Sequence, residues 1–197
     1  MENPFGVRHA RPGDEDTIFD HLLMLHAENG LAPVSEAKVR AEIRCATNGD
    51  GNIIGVIDGG NGIEASTGLG LRTFWYSDKF HWEELWIFVH PRHRRTNHAQ
   101  RLIGFVKWCR DETSRLAGED INLFVGILTL RQVEPKIRLY QRSFPQVGAS
   151  FAYGVVPQGA FSQRRIVAPP GDGRWRGARN GRALAGAGPT GPTNGRE

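Results

Sequence analysis

The residues with the clearest chemical potential lie in a short basic loop, residues 90–99 (HPRHRRTNHA). An apolar segment, residues 84–89 (ELWIFV), runs into this loop, and an amphipathic helical pattern begins directly after it. The first turn of a helix leaves backbone N–H groups unpaired at the positive end of the helix dipole, which favours bound anions. Arg92, Arg94 and Arg95 add guanidinium groups, which pair well with phosphate oxygens. The loop is therefore predicted to bind phosphate, and a diphosphate better than a carboxylate.

Three histidines in this loop raise the alternative of a metal site. No cysteine or set of carboxylates accompanies His90, His93 and His98 at ligand spacing, so no metal is predicted. The two cysteines, Cys45 and Cys109, show no disulfide pattern, which favours a reducing, cytoplasmic compartment. Cys109 lies on the apolar stripe of a predicted helix, and we expect a small core residue there rather than a nucleophile.

The segments around the loop alternate between the periodicities of strands and helices. A mixed sheet is expected, because apolar runs and turn signals follow one another along the chain. The predicted strands are residues 7–10, 52–58, 63–74, 84–89, 121–128 and 151–153. The order of elements predicts an α/β domain.

Four helices are predicted between these strands. The first begins after Asp14 or Asp16, the second after Ser35, the third after the basic loop, and the fourth at residues 134–135 (EP). The third is the most regular, because apolar residues recur every three or four positions from Ala99 to Leu116. Gly118 is suited to end it.

The composition is that of a globular domain followed by a polar tail. Hydrophobic residues make up 39% of the chain, and no apolar run approaches the roughly 20 residues that cross a bilayer, so no membrane association is expected. Gly, Pro, Arg and Ala dominate the end of the chain, which predicts a domain over residues 5–156 and a disordered tail over residues 157–197. Seven arginines and two acidic residues follow Val155, a net charge of +5 that leaves −1 for the rest. The basic tail makes nucleic-acid binding conceivable, but the domain itself does not favour it.

The strand, basic loop and helix resemble the acyl-CoA-binding motif of the GNAT superfamily of N-acyltransferases. That motif runs from an apolar strand through V-x-P to Arg/Gln-x-x-Gly-x-Gly/Ala; here residues 89–91 read VHP and residues 94–99 read RRTNHA. Asn97 stands where Gly is usual, and Asn is the residue that next best tolerates a positive φ. The resemblance implies that the loop amides hold the pyrophosphate of CoA. The cofactor-binding residues implied are Phe88, Val89, Arg94, Arg95, Thr96, Asn97, His98 and Ala99.

A second family element, aromatic-Tyr-x-x-x-Gly-Phe, resembles residues 138–144 (RLYQRSF), with a serine in place of the glycine and a spacing one residue shorter. In this family an amine attacks the thioester directly, so a base, an oxyanion donor and an acid are needed. The resemblance implies Tyr140 as the acid, a backbone N–H within residues 86–89 as the oxyanion donor, and Glu84, or else Glu83, as the base. Adjacent strand residues face opposite sides, so only one of the two glutamates can point into the cleft.

The order of elements resembles the family over about three quarters of the chain. The resemblance implies one GNAT-like domain, with a mixed, mostly antiparallel sheet of six to seven strands, splayed central strands and flanking helices. It implies an N-acetyltransferase that uses acetyl-CoA as acyl donor and a small-molecule or peptide amine as acceptor. A second copy of the chain, forming a homodimer, stays open as a further partner.

Each site assignment has a structural alternative. Glu83 and Glu84 would then be solvated strand-end charges, Tyr140 a tyrosine at the edge of the core, and the loop arginines a surface charge run or a nucleic-acid patch. Two other function classes also stay open. One is a catalytically idle domain that binds CoA or a partner, because Asn97 and Ser143 replace glycines of the two family elements and Val133 stands where the family often has an Asn, seven residues before the Tyr. The other is a nucleic-acid-modifying enzyme that uses the basic tail.

Aromatic residues and histidines outside the loop are predicted to be mainly structural. Two histidines of the first helix, His21 and His26, are expected at the surface, with a lining of the acceptor cleft as the alternative. An aromatic cluster is expected to belong mostly to the core, the alternative being an aromatic wall for the acceptor. Its members are Trp75, Tyr76, Phe80, His81 and Trp82.

Overall fold

A five-stranded sheet forms the centre of the fold. The computed structural model describes residues 3–127 and 133–147. Its strands are β1 (Arg8–His9), β2 (Ile53–Gly59), β3 (Gly62–Thr73), β4 (Phe80–Val89) and β5 (Asn122–Phe124). They lie side by side in chain order, with antiparallel pairing from β1 to β4 and a parallel β4–β5 pair. The predicted mixed, mostly antiparallel sheet is confirmed, with five strands in the described residues rather than six or seven. The predicted strand at residues 151–153 and the tail, residues 157–197, lie outside the described residues.

In the part of the chain that the structure describes, four α-helices flank the sheet: α1 (Glu15–Asn29), α2 (Glu36–Thr47), α3 (His98–Ala117) and α4 (Val133–Gln141). Asp14 and Ser35 occupy the N-cap positions of α1 and α2, but neither side chain bonds the helix amides. The Asp14 carboxylate instead accepts hydrogen bonds from the Arg8 guanidinium. Gly118 ends α3 in the left-handed conformation, with φ of 71°, as its position predicted. No helix in the described part of the chain is both long and apolar enough to span a membrane.

The helices bury two separate hydrophobic cores against the sheet. Leu102, Phe105, Val106 and Cys109 of α3 belong to one core. The other core combines residues of α1 and α2 with Ile54, Val56, Trp86 and Phe88 of the sheet. The predicted apolar stripe of α3 is confirmed over its buried turns, but it does not reach Leu116, which is 75% exposed.

A β-bulge changes the direction of side chains along β4. Gly68 of β3 pairs with Trp86, whereas the next residue, Leu69, pairs with Glu84, so Leu85 is an extra residue in β4. The bulge reverses the alternation of the strand. Trp82 therefore joins the core that contains α3, whereas Trp86 joins the core of α1 and α2.

The parallel pairing of β4 with β5 is short. It joins His81, Trp82 and Glu83 to residues 122–124, and no further pairing follows among the described residues. From Glu84 to Val89 the edge of β4 thus has no neighbouring strand there. Pairing that ends partway along two parallel strands agrees with the splayed central strands expected from the resemblance.

Only part of the aromatic cluster belongs to the core. β4 begins at Phe80 rather than at residue 84, and it buries His81 and Trp82. Trp75, Tyr76 and Phe80 are 93%, 67% and 57% exposed. The expectation of core packing is wrong for these three residues, because they lie at the β3–β4 connection and at the first position of β4.

Candidate active site

Glu84 of β4 and Tyr140 of α4 meet where β4 and β5 separate. The Tyr140 hydroxyl donates a hydrogen bond of 2.6 Å to Glu84 Oε2. Glu84 is the first residue of β4 beyond its pairing with β5. Glu83 lies within that pairing and is exposed. Of the two adjacent glutamates, Glu84 is therefore the one in contact with the tyrosine.

The surroundings of this pair set its protonation. Burial raises the pKa of Glu84 to about 7, although the hydrogen bond from Tyr140 and the charge of Lys136 both lower it. Burial also raises the pKa of the Tyr140 phenol, and the adjacent carboxylate raises it further. Near neutral pH the carboxyl group can therefore gain or lose a proton, while the phenol keeps its proton. The pair thus places a proton acceptor and a proton donor side by side.

Charged residues from three elements converge beside this pair. Arg94 of the basic loop forms an ion pair with Glu28 of α1, with 2.5 Å between Nη2 and Oε1. Lys136 of α4 interacts electrostatically with Glu28, Arg94 and Glu84, and burial lowers its pKa. One of the three loop arginines is therefore already engaged by a carboxylate.

The basic loop folds back on itself between β4 and α3. It begins with a short 3₁₀ helix, Pro91–His93, and the Thr96 amide donates a hydrogen bond to the His93 carbonyl at 3.1 Å. Asn97 has φ of −87°, so the positive φ considered for this position is not used, and its side chain does not cap α3. The amides of Arg95 and Asn97 find no acceptor among the described residues. The loop therefore presents amides that remain available to an anion.

The loop is anchored to β3 by Glu64. The Glu64 carboxylate lies 2.7 Å from His98 Nε2 and 3.4 Å from His93 Nδ1. Arg101 Nη1 lies 3.4 Å from His98 Nδ1. A guanidinium only donates, so Nδ1 is the acceptor and Nε2 carries the proton that is donated to Glu64.

The side chains of Glu64, His93 and His98 bring atoms that could coordinate a metal ion within 4.8 Å of one another. The sequence argument against a metal overlooked Glu64, because this carboxylate comes from a different strand. In this arrangement His98 Nε2–H is donated to Glu64, and a metal ion would have to displace that proton. The arrangement is that of a hydrogen-bonded anchor for the loop.

A groove of about 460 Å³ lies among α1, α2 and β4. His26 lines it, and the distance of 2.5 Å from His26 Nε2 to the Ala32 carbonyl oxygen ties α1 to the segment that follows it. His21 is only 3% exposed and packs against Phe88. Burial lowers the pKa of His21 to about 4, which keeps this imidazole neutral. The expectation of surface histidines is wrong for His21, and His26 takes the alternative position beside a cleft.

The cysteine on α3 is chemically inert, as its position on the apolar stripe predicted. Cys109 is 3% exposed, and burial raises the pKa of its thiol to about 12. A thiol that is not ionised is a poor nucleophile. Cys109 therefore has a packing role.

The residues predicted to bind the cofactor differ in their exposure to solvent. Arg94, Arg95, Thr96 and Asn97 are exposed, whereas Phe88 and His98 are buried. The Phe88 side chain belongs to the core of α1 and α2, and the Val89 carbonyl lies 3.5 Å from Arg94 Nε. Contacts of Phe88 and Val89 with a ligand would therefore come from their backbone.

No protein-family model and no curated protein matches the chain. Solved structures do match. A possible acetyltransferase from Clostridium difficile 630 has a TM-score of 0.58 at 14% identity, over 76% of this chain and 97% of that chain. AAC(6')-Iy in complex with the bisubstrate analogue CoA-S-monomethyl-acetylneamine has a TM-score of 0.57 at 13% identity, over 75% of this chain and 95% of that chain.

A third match is the aminoglycoside antibiotic 6'-N-acetyltransferase AAC(6')-IG from Acinetobacter haemolyticus. Its TM-score is 0.54 at 13% identity, over 75% of this chain and 95% of that chain. At such identities the likeness is one of fold. The chain has the fold of the GNAT acetyltransferases.

Proposed function

We propose that this chain is an N-acetyltransferase that transfers the acetyl group of acetyl-CoA to an amine by direct attack on the thioester. The observation that carries the proposal is the hydrogen bond between Tyr140 and Glu84 at the opening between β4 and β5. A carboxyl group with a pKa near 7 beside a protonated phenol provides the base and the acid that such a reaction needs. The fold supports the proposal. Free thiols at both cysteines agree with a cytoplasmic location, which we include in it.

The basic loop fits the pyrophosphate of CoA. The amides of Arg95 and Asn97 have no acceptor among the described residues, and Arg92 and Arg95 form no ion pair there. Arg94 would exchange the Glu28 carboxylate for phosphate. Helix α3 starts at His98 and adds the positive end of its dipole. Amides, dipole and guanidinium groups thus favour the same doubly charged ligand.

The proposed reaction restores Glu84 and Tyr140 to their starting protonation states and moves one proton from the amine to the thiol of CoA. Acetyl-CoA supplies the activated thioester. The ammonium group of the acceptor first loses a proton to water, and the neutral amine nitrogen then forms a bond to the thioester carbon. A backbone N–H within residues 86–89 stabilises the oxyanion, and Glu84 takes the second proton that the nitrogen loses. The C–S bond then breaks, and Tyr140 donates its proton to the departing thiolate. Finally the proton on Glu84 passes across the 2.6 Å hydrogen bond to the Tyr140 oxygen.

An assay that separates binding from turnover tests this function. The full chain is incubated with acetyl-CoA and a broad pool of amines, free thiol is recorded over time, and acetylated products are identified by mass. We expect amine-dependent thiol release. The double variant Glu84→Gln/Tyr140→Phe is expected to bind acetyl-CoA and release no thiol above background. If the wild-type chain binds acetyl-CoA and yields no product with any amine, the idle CoA-binding alternative replaces this proposal.

A further inference from the structure

We infer that the acceptor is a primary amine with an apolar body and a single positive charge, bound in the groove among α1, α2 and β4. The inference rests on the proposed function and assigns the substrate class of the same site. The groove has the volume of a small-molecule site, about 460 Å³. Three features of the groove point to this acceptor: its lining, its charges and its position relative to Glu84.

The lining of the groove is mostly hydrocarbon. Side chains from both helices and from the bulge of β4 contribute to it. Among them are Phe19, Leu22, Leu25, Val39, Leu85 and Trp86. Leu85 is still 36% exposed, and Leu22, Leu25 and Val39 are only partly buried. An apolar ligand body that covers these side chains removes their surface from water, which favours binding.

The charged groups of the groove do not favour a polycation. Its carboxylate, Glu42, lies 3.2 and 3.1 Å from Arg72 Nη2 through its two oxygens. The Asn52 side-chain amide also donates to Glu42, at 2.5 Å. The lining also contains one lysine, Lys38, which is exposed and repels cations. A second ammonium group on the acceptor would therefore meet a satisfied carboxylate and a lysine.

The groove is lined by Leu85, the residue that follows the carboxylate proposed to receive the proton of the amine. Leu85 lines the groove, and its chain neighbour Glu84 contacts Tyr140. On α1, Leu25 lines the groove, and Glu28, one turn further along the same face, pairs with Arg94. Glu28 also interacts with Lys136, so its negative charge stays compensated when Arg94 turns to a phosphate. An amine held against Leu85 would lie one residue from the single carboxylate of the proposed mechanism, which suits one amine.

A matched amine panel tests the inference. The full chain is assayed for thiol release from acetyl-CoA with 2-phenylethylamine and hexylamine, and with spermidine and kanamycin as polycations. We expect kcat/KM at least about tenfold higher for the two apolar monoamines, equivalent to 1.4 kcal/mol in binding the transition state. Efficient acetylation of spermidine or kanamycin with poor use of both monoamines overturns the inference and leaves the proposed function standing.

A binding measurement keeps the two failures apart. Calorimetry of 2-phenylethylamine and of spermidine, with and without CoA, reports occupancy of the groove without turnover. Tighter binding of 2-phenylethylamine than of spermidine supports the inference even if no product forms. The absence of product would count against the proposed function alone. Equal or weaker binding of 2-phenylethylamine overturns the inference.

Charge reversal at the groove supplies the variant. Lys38→Glu removes the repulsion and is expected to raise kcat/KM for spermidine relative to 2-phenylethylamine about fivefold. Lys79→Glu, an equally exposed reversal in the β3–β4 connection, is the control and should leave the ratio unchanged. Both sites are exposed, so neither change is expected to affect folding. A ratio that Lys38→Glu leaves as unchanged as Lys79→Glu does would overturn the assignment of this groove to the acceptor.

Discussion

The hydroxyl of Tyr140 donates a 2.6 Å hydrogen bond to Glu84, a residue 56 positions earlier in the chain. The contact joins α4 to β4 at the first residue of β4 that lacks a β5 partner in the described structure. It couples the protonation of the two groups, because the hydrogen bond lowers the pKa of the carboxyl group while the carboxylate raises the pKa of the phenol. A change in one residue should therefore alter the titration of the other.

Tyr140→Phe removes the proposed acid and the hydrogen bond. We expect kcat to fall at least about tenfold with KM for acetyl-CoA nearly unchanged, because general acid catalysis contributes about 10²- to 10⁴-fold. The pH at which activity rises should also increase, since Glu84 loses a contact that lowers its pKa. Steady-state kinetics between pH 5 and 9 measure both effects. Tyr76→Phe, at an exposed tyrosine, is the control. An unchanged kcat would remove Tyr140 from the acid role.

Glu84→Gln is expected to change stability in a pH-dependent way. The folded state raises the pKa of Glu84 from 4.5 to about 7, so the protonated carboxyl group favours folding at low pH. This contribution is present below pH 4.5 and is lost as the pH rises to 7. The glutamine side chain does not ionise, so the variant does not lose this stability. The free energy of unfolding of the variant minus that of the wild type should therefore increase by up to about 3 kcal/mol from pH 4.5 to pH 8. Urea denaturation across this range measures the difference.

Glu83→Gln provides the matched control for that series. Glu83 is adjacent in sequence but exposed, so its substitution should change the free energy of unfolding little. Parallel curves for wild type and Glu84→Gln would contradict the burial of an ionisable carboxyl group at position 84.

Glu28→Gln should strengthen acetyl-CoA binding. The Glu28 carboxylate pairs with Arg94, which would have to leave it to reach a phosphate. Both side chains are about 40% exposed, and pairs of this kind are weak, so we expect the Kd to fall by about two- to fivefold. Calorimetry measures the change, and Glu36→Gln, which breaks an exposed pair with Arg40, is the control. Weaker binding in Glu28→Gln would show that the ion pair positions Arg94 instead of competing for it.

Glu64→Ala should remove the anchor of the basic loop without removing a residue that is proposed to contact acetyl-CoA. Glu64 holds His93 and His98 from β3, so its loss should raise the Kd for acetyl-CoA by about fivefold or more, a typical cost of a charge-assisted hydrogen bond. Glu64→Gln keeps an acceptor for His98 Nε2 and should restore most of the affinity. Zinc or EDTA should leave wild-type binding unchanged. Tight zinc binding that requires His93, His98 and Glu64 would instead show a metal centre.

Local signals in the sequence were sufficient to predict the strand and the helix on either side of the basic loop. The apolar repeat of α3 and Gly118 at its end depend on neighbouring residues, and both agree with the structure. The apolar run of residues 84–89 concealed the bulge at Leu85, because continuous apolarity shows no alternation that a bulge would interrupt. It also concealed the earlier start of β4 at Phe80.

Contacts between distant segments were beyond reach of the sequence. Nothing near Arg94 indicates Glu28, and nothing near His98 indicates Glu64, because each carboxylate belongs to another element. The adjacent glutamates posed the same problem. Their alternation showed that only one faces the cleft, but the choice of Glu84 depends on where β5 stops and where α4 lies.

Calorimetric titration of the full chain with acetyl-CoA tests the central claim most directly. We predict binding at one site, weakened at least about tenfold by Arg95→Ala, which removes a guanidinium from the loop, and unchanged by Arg44→Ala on the exposed side of α2. No binding of acetyl-CoA by the wild-type chain at about 1 mM, a free energy weaker than about −4 kcal/mol, or binding unaffected by Arg95→Ala, would contradict the claim that the loop before α3 holds the diphosphate.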